Sequence, residues 1–381
     1  MENTSENDFG NLNLKENLLK GVYIYGFKKP SKIQVKGIQA ITTGKDCIIQ
    51  SQSGTGKTAT YLLGIMNRLD EDDKCQCIII APTRELAIQV HKVAIEISKF
   101  SNFKIELCTG GTSINKNRSS LKTANIVIGT IGRINHMVQE NRINLYNIKL
   151  VALDEADDIL NDGISKELNN IFNKVPGGTQ FCLISATLSQ YVFDLEKKIM
   201  HEPLKILLKK SEIPVDLIKQ FYIDTELEEL KFEVLLDLYN LISTSQAIIF
   251  CNKISKVEWL TKTLEEKNFS ITSIHGKMTS QQRTDVVKEF RNGKTRILIT
   301  TDLLARGIDI PQVNLVINYD LPPNKETYIH RIGRCGRFGK KGIAIALVKM
   351  QDPSDIKSLS RMKNFYNMNI EELPEDIEDY L

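Results

Sequence analysis

Residues 150–158 read LVALDEADD, an apolar run closed by a cluster of carboxylates. Acids crowded at a strand end repel one another, so the stretch either opens a helix, where acids favour the dipole, or awaits a cation. A suitable partner lies upstream. After the apolar run DCIIQ comes Ser51-Gln52-Ser53-Gly54-Thr55-Gly56-Lys57-Thr58, followed by the helix-like ATYLLGIMNRL. Glycines let a backbone wrap a phosphate, a helix N-terminus offers free N–H groups, Lys57 adds a point charge and Thr58 can hold Mg²⁺. Ser51 stands where the usual GxxxxGK[ST] string has its first glycine, yet strand, loop and helix follow in the order the motif needs. Together the two stretches predict a nucleoside triphosphate site. Asp154 would end a strand neighbouring the phosphate loop, bound Mg²⁺ would supply the missing positive charge, and Glu155 would orient or deprotonate the attacking water.

The elements able to position these groups are legible as short apolar runs. DCIIQ, CIIIAP, IVIGT, LVALD and FCLISAT come first, then AIIFCN, RILITTD, LVINYD and IAIALV, with amphipathic stretches between them. Continuous apolar runs alternating with helices are what parallel strands covered on both faces look like. The pattern predicts α/β architecture twice over: two tandem domains, each a parallel sheet flanked by helices. The charged, proline-containing LLKKSEIPVDLIKQ lacks clear periodicity and reads as a flexible linker. This divides the chain into 1–208, a linker at 209–216, and 217–381.

Composition narrows the function classes. A chain of 381 residues is long for one domain, and its 41% hydrophobic and 25% charged residues describe well-cored globular protein. With 50 basic against 47 acidic residues the net charge is only +3, so any polyanion must be held by a local patch. No apolar stretch reaches membrane-spanning length, and the start MENTSENDFGN lacks the apolar core of a signal peptide. An intracellular protein with no membrane contact is expected. The odd, scattered set of seven cysteines fits reduced core thiols better than disulfides or zinc.

Further motifs follow in an order that resembles a known family. Asp154-Glu155-Ala156-Asp157 is similar to the signature of DEAD-box ATP-dependent RNA helicases. GFKKPSKIQ (26–34), PTRELA (82–87), Gly110-Gly111, Ser185-Ala186-Thr187, ARGID (305–309) and HRIGRCGR (330–337) extend the likeness across nearly the whole chain. TTDLLARGID and NYDLPPNKETYIHRIGR resemble the subgroup of translation initiation factor 4A. The resemblance implies two RecA-like domains, an RNA-dependent ATPase using ATP and Mg²⁺, and duplex unwinding or remodelling of RNA–protein complexes in translation initiation. It implies that Phe27 stacks on adenine and Gln34 reads its edge, that Ser53, Gly54, Thr55 and Gly56 wrap the phosphates with Lys57 and Thr58, and that Asp309 meets the ribose. Arg334 and Arg337, three residues apart and on one face if the segment is helical, would neutralise the transferring phosphoryl group. Ser185, Thr187 and His330 would couple hydrolysis to domain closure.

Sequence-independent grip on RNA needs helix N-termini, glycine backbones and a few arginines. Thr83 reads as the N-cap of a helix with apolar positions Leu86, Val90, Ala94 and Ile97, and Arg84 stands beside it. By the resemblance, Thr83, Arg84, Gly111, Thr130 and Arg133 are RNA contacts in the first half, and Asn252, Gly276, Arg283 and Thr301 in the second. Ile131 and His136 depart from the family pattern near Thr130. Cys335 departs too, and neighbouring arginines would lower its thiol pKa and sensitise it. Two rivals share the fold: an ATP-locked RNA clamp of the exon-junction type that rarely turns over, and a double-stranded DNA translocase. Scaffold or regulatory proteins such as initiation-factor subunits are the implied partners of a monomer, located in the cytoplasm with the nucleus as the alternative.

Overall fold

The computed structural model describes residues 8–51, 55–72, 74–110, 120–161, 163–207, 218–242, 246–302, 313–335, 342–364 and 368–374. The chain divides into two compact units, Met1–Leu208 and Lys209–Leu381. The linker segment 209–216 lies outside the described residues.

In the first unit the strands are β1 Cys47–Gln50, β2 Cys77–Ala81, β3 Ile105–Cys108, β4 Ile126–Thr130, β5 Leu150–Asp154, β6 Gln180–Ser185 and β7 Leu204–Ile206. They pair in parallel in the order β3-β4-β2-β5-β6-β1-β7. The central strands are apolar throughout because helices cover both faces. Ile79 of β2 and Ala152 of β5 belong to one buried cluster, while Ile78, Ile80, Val151 and Leu153 belong to the other. Each buried Ile, Val or Leu side chain taken from water contributes about 1.5–3 kcal/mol. Helix Arg84–Ile97 adds Leu86, Ala87, Val90 and Ala94 to the first cluster, and helix Ile131–Gln139 adds Ile134, Met137 and Val138 to the second.

The second unit repeats this plan. Its strands are β8 Ile218–Asp224, β9 Gln246–Phe250, β10 Ile271–Ile274, β11 Ile297–Thr300, β12 Val313–Asn318, β13 Gly342–Val348 and β14 Ile370–Glu372. They run parallel in the order β10-β11-β9-β12-β13-β8-β14. Helix starts are fixed by side-chain caps: Ser31, Thr83, Ser165, Ser189, Thr279 and Asn324 each accept a backbone N–H of the first turn. Each cap is worth about 1 kcal/mol and sets where the following helix points its free N–H groups. Among the described residues no helix is long and apolar enough to cross a membrane. All seven cysteines are free and buried.

One expectation is corrected by the sheet order. The strand that ends at Asp154 does not neighbour the strand before the phosphate loop, because β6 runs between β5 and β1. The carboxylate reaches the loop through the helix that follows the loop rather than through strand pairing.

Candidate nucleotide and RNA site

The site begins where β1 ends. Ser51 is fully buried, its N–H donates to the Ser185 carbonyl at 2.9 Å, and its hydroxyl meets that of Thr55. A serine thus fits where the common motif has glycine, since its side chain closes on the loop itself. Gly56 has φ +89°, and a Cβ there would come within 2.6 Å of Gln34 Nε2, so this position needs glycine on both counts. Helix Lys57–Arg68 starts at the next residue. Lys57 is buried and its Nζ has no hydrogen-bond partner. Ser53 and Gly54 lie outside the described residues.

Facing this cation is the acidic cluster. Asp154 Oδ2 accepts the Tyr61 hydroxyl at 2.8 Å, and Oδ1 accepts the Glu155 N–H at 3.1 Å. Burial, followed by the charge of Glu155, pushes the Asp154 carboxyl up to about 6, while Lys57 and Tyr61 pull it back. Glu155 adopts φ +50°, a left-handed conformation that a side chain rarely accepts without a structural reason, and its Oε2 is buried without a partner. Asp157 turns the other way: its Oδ2 accepts the N–H of Thr187 at 3.1 Å and its hydroxyl at 2.5 Å, while Ser185 Oγ donates to the Thr187 carbonyl at 2.5 Å. The end of β6 is therefore tied to the acidic turn. Two buried carboxylates, the half-buried Thr58 hydroxyl and an unpartnered ammonium form a donor set that fits a Mg²⁺-bound triphosphate.

Gln34 is buried at the start of helix Lys32–Thr42, where its Oε1 accepts the Ser31 N–H at 2.8 Å in a capping box. One lone pair of its acceptor is thereby engaged, and the Nε2 donor lies against Gly56. Phe27 is half-buried, its ring 6.0 Å from that of Phe9 and 5.1 Å from that of Tyr25.

The groups expected on RNA sit near strand ends and helix starts. Thr83 caps helix Arg84–Ile97 by accepting the Leu86 N–H at 3.2 Å, and Arg84 opens that helix. Thr130 ends β4 and precedes helix Ile131–Gln139, whose third residue is Arg133. Ile131 packs against the second core cluster, and His136 approaches Glu140 at 3.3 Å. In the second unit, Gly276 is exposed beyond β10, Arg283 lies in the first turn of helix Ser280–Arg291, and Thr301 follows β11. Asn252 is exposed after β9, yet its amide nitrogen donates to the Leu321 carbonyl at 2.8 Å and its oxygen accepts Arg331 Nη2 at 2.7 Å. Gly111, Asp309 and Arg337 lie outside the described residues.

Helix Lys325–Ile332 carries His330, which is buried, and it ends before Arg334 with Gly333 as its C-cap. Arg334 thus lies past the helix end, and the shared face with Arg337 falls outside the described residues. Arg334 is buried and donates from Nε to the His330 carbonyl at 3.2 Å. The expected reactivity of Cys335 is also corrected: the thiol is buried and donates to the Ile332 carbonyl at 3.1 Å, which closes access to it.

Two residues that sequence reasoning passed over are central. Tyr61 reaches from the loop helix to Asp154. Arg331, fully buried, donates to Asp302 at 2.6 Å, Asn318 at 3.2 Å, the Asp320 carbonyl at 2.7 Å and Asn252 at 2.7 Å, with its guanidinium 5.2 Å from the centre of the Phe250 ring. The string HRIGR marked the neighbourhood but not which arginine makes this network.

Two parallel α/β sheets, one with a phosphate loop after β1 and acids at the end of β5, define a tandem RecA-like nucleotide-dependent protein. Residues 31–195 match the DEAD/DEAH box helicase family and residues 230–339 the helicase conserved C-terminal domain. "ATP-dependent RNA helicase eIF4A" of Neurospora crassa is 46% identical over 375 residues, covering 98% of this chain and 94% of that protein. The protein of the same name from Emericella nidulans is 47% identical over the same share. Among solved structures, S. cerevisiae Dbp5 bound to RNA and ADP BeF3 has 36% identity, covers 98% of this chain and 97% of its own, and superposes with TM-score 0.88. A DEAD box protein from Methanococcus jannaschii, also 36% identical, covers 97% and 99% with TM-score 0.56. The chain belongs to the DEAD-box ATP-dependent RNA helicases, in the initiation factor 4A subgroup.

Proposed function

We propose that this protein is an RNA-dependent ATPase that grips single-stranded RNA by its backbone, unwinds short duplexes or remodels RNA–protein complexes, and releases the RNA on hydrolysis. One observation carries the reading: the phosphate loop ends in a buried, unpartnered lysine, Lys57, beside two buried carboxylates, Asp154 and Glu155. A protein gains nothing from leaving such charges unfinished unless a ligand completes them.

Phe27 and Gln34 hold the adenine, Gln34 through its Nε2 donor. Ser53, Gly54, Thr55, Gly56 and Lys57 hold the phosphates, and Asp309 the ribose. Thr58 and Asp154 would hold Mg²⁺, and the ion would supply positive charge against the triphosphate and the acids. Glu155 accepts the proton of the attacking water, and Arg334 and Arg337 neutralise charge on the transferring phosphoryl group. Thr83, Arg84, Gly111, Thr130, Arg133, Asn252, Gly276, Arg283 and Thr301 meet the RNA backbone. Ser185, Thr187 and His330 couple the two events, and the tie from Thr187 to Asp157 supports this for the first unit. The protein acts in translation initiation as a monomer with initiation-factor partners, in the cytoplasm. Relatives covering nearly the whole chain are named for ATP-dependent helicase activity, which weighs against the clamp reading.

The test is Glu155→Gln. This variant should retain ATP and RNA in filter binding but lose hydrolysis by about 10²–10⁴-fold, the range for a general base. Undiminished turnover would remove the mechanism. ATPase stimulated equally by DNA and RNA would favour a translocase instead.

A further inference from the structure

Tyr61 stands one turn into helix Lys57–Arg68 and is fully buried within the first core cluster. A phenol so placed needs an acceptor for its proton and benefits from a donor to its oxygen. The acceptor is present: its hydroxyl donates to Asp154 Oδ2 at 2.8 Å.

This contact reaches a residue assigned to the cation. Asp154 is held from both sides, by Tyr61 on Oδ2 and by the Glu155 N–H on Oδ1 at 3.1 Å. Without the phenol, the carboxylate loses one of the two bonds that fix its plane.

We propose that Tyr61 is a positioning residue for the cation side of the site, presenting the Asp154 carboxylate already oriented. It touches neither nucleotide nor metal. The inference rests on the Mg²⁺ assignment made under the proposed function.

The experiment uses Tyr61→Phe in the full chain and follows a fluorescent ADP analogue while Mg²⁺ is titrated. Half-saturating Mg²⁺ should rise about 10-fold, the lower end of the range for an outer-shell partner. Nucleotide binding in EDTA and RNA half-saturation should stay unchanged. A Mg²⁺ titration identical to the parent's overturns the proposal, and so does an equal loss of binding in EDTA, which would report a general packing defect. Should Tyr61→Phe be recovered unfolded, Tyr61→Met, which also lacks the hydroxyl, carries the same expectation. A second reading adds Tyr61→Phe to Asp154→Asn. Action through the carboxylate predicts no further loss in the pair, and additive losses overturn it. If the parent protein binds ADP with no Mg²⁺ dependence, the metal assignment itself has failed; an unchanged variant beside a Mg²⁺-dependent parent removes this inference alone.

Discussion

The two units bury charge in opposite ways. In the first, Lys57 Nζ and Glu155 Oε2 are buried without partners and the Asp154 carboxyl is pushed up to about 6. In the second, Arg331 is just as buried but makes four hydrogen bonds, to Asp302, Asn318, Asp320 and Asn252. Unfinished charge costs stability, whereas finished charge holds strand ends in register with a helix. The contrast separates a pocket built for something that arrives from a scaffold that must already be in place.

The largest expected effect tests the finished side. Arg331→Ala leaves Asp302 and three other acceptors without their donor and should destabilise the second unit by about 3–5 kcal/mol. Trp259, the chain's single tryptophan, packs against Phe232 in that unit, so its fluorescence in urea reads the loss. A shift below about 1 kcal/mol would break the comparison, because the buried network would then contribute little more than a surface pair.

The unfinished side should respond with the opposite sign. Folding raises the Asp154 carboxyl from 3.8 to about 6, so the folded state binds this proton more tightly than the unfolded one. The associated stability is intact below about pH 4 and is lost as pH rises through about 6, to an extent of order 3 kcal/mol. Asp154→Asn should therefore raise the unfolding temperature of the nucleotide-free protein at pH 8, change little at pH 3.5, and abolish turnover. A lower unfolding temperature at pH 8 would show that the site is not strained by its own charge.

The smallest effect calibrates the scale. His136 and Glu140 form a partly exposed pair across one helical turn at 3.3 Å. His136→Ala should shift stability by less than about 0.5 kcal/mol in denaturant titration. A larger change would mean that this departure from the family pattern has a structural task beyond the pair.

The central strands were legible because covering both faces demands unbroken apolar runs, as in CIIIA and LVALD. Edge strands were not. IELC and ITSI show the burial pattern buried, half-buried, half-buried, buried, which carries neither an unbroken run nor strict alternation. IKQFYID of β8 is interrupted by exposed Lys219 and buried Gln220, whose side chain accepts the Tyr328 hydroxyl at 3.1 Å. At the site, Lys57, Asp154 and Glu155 were legible from residue type and spacing. Tyr61 was not, since its hydroxyl matters only through a contact 93 positions away in sequence. Arg331 was hidden among similar arginines, and only packing tells which one bonds to Asp302, Asn318, Asp320 and Asn252.

Every native thiol in this chain is sealed inside a core. A cysteine introduced at the surface of either unit would consequently be the preferred attachment point for a maleimide dye, with no wild-type sulfur to remove first. A donor on one half and an acceptor on the other would let single-molecule energy transfer watch the halves through a catalytic cycle.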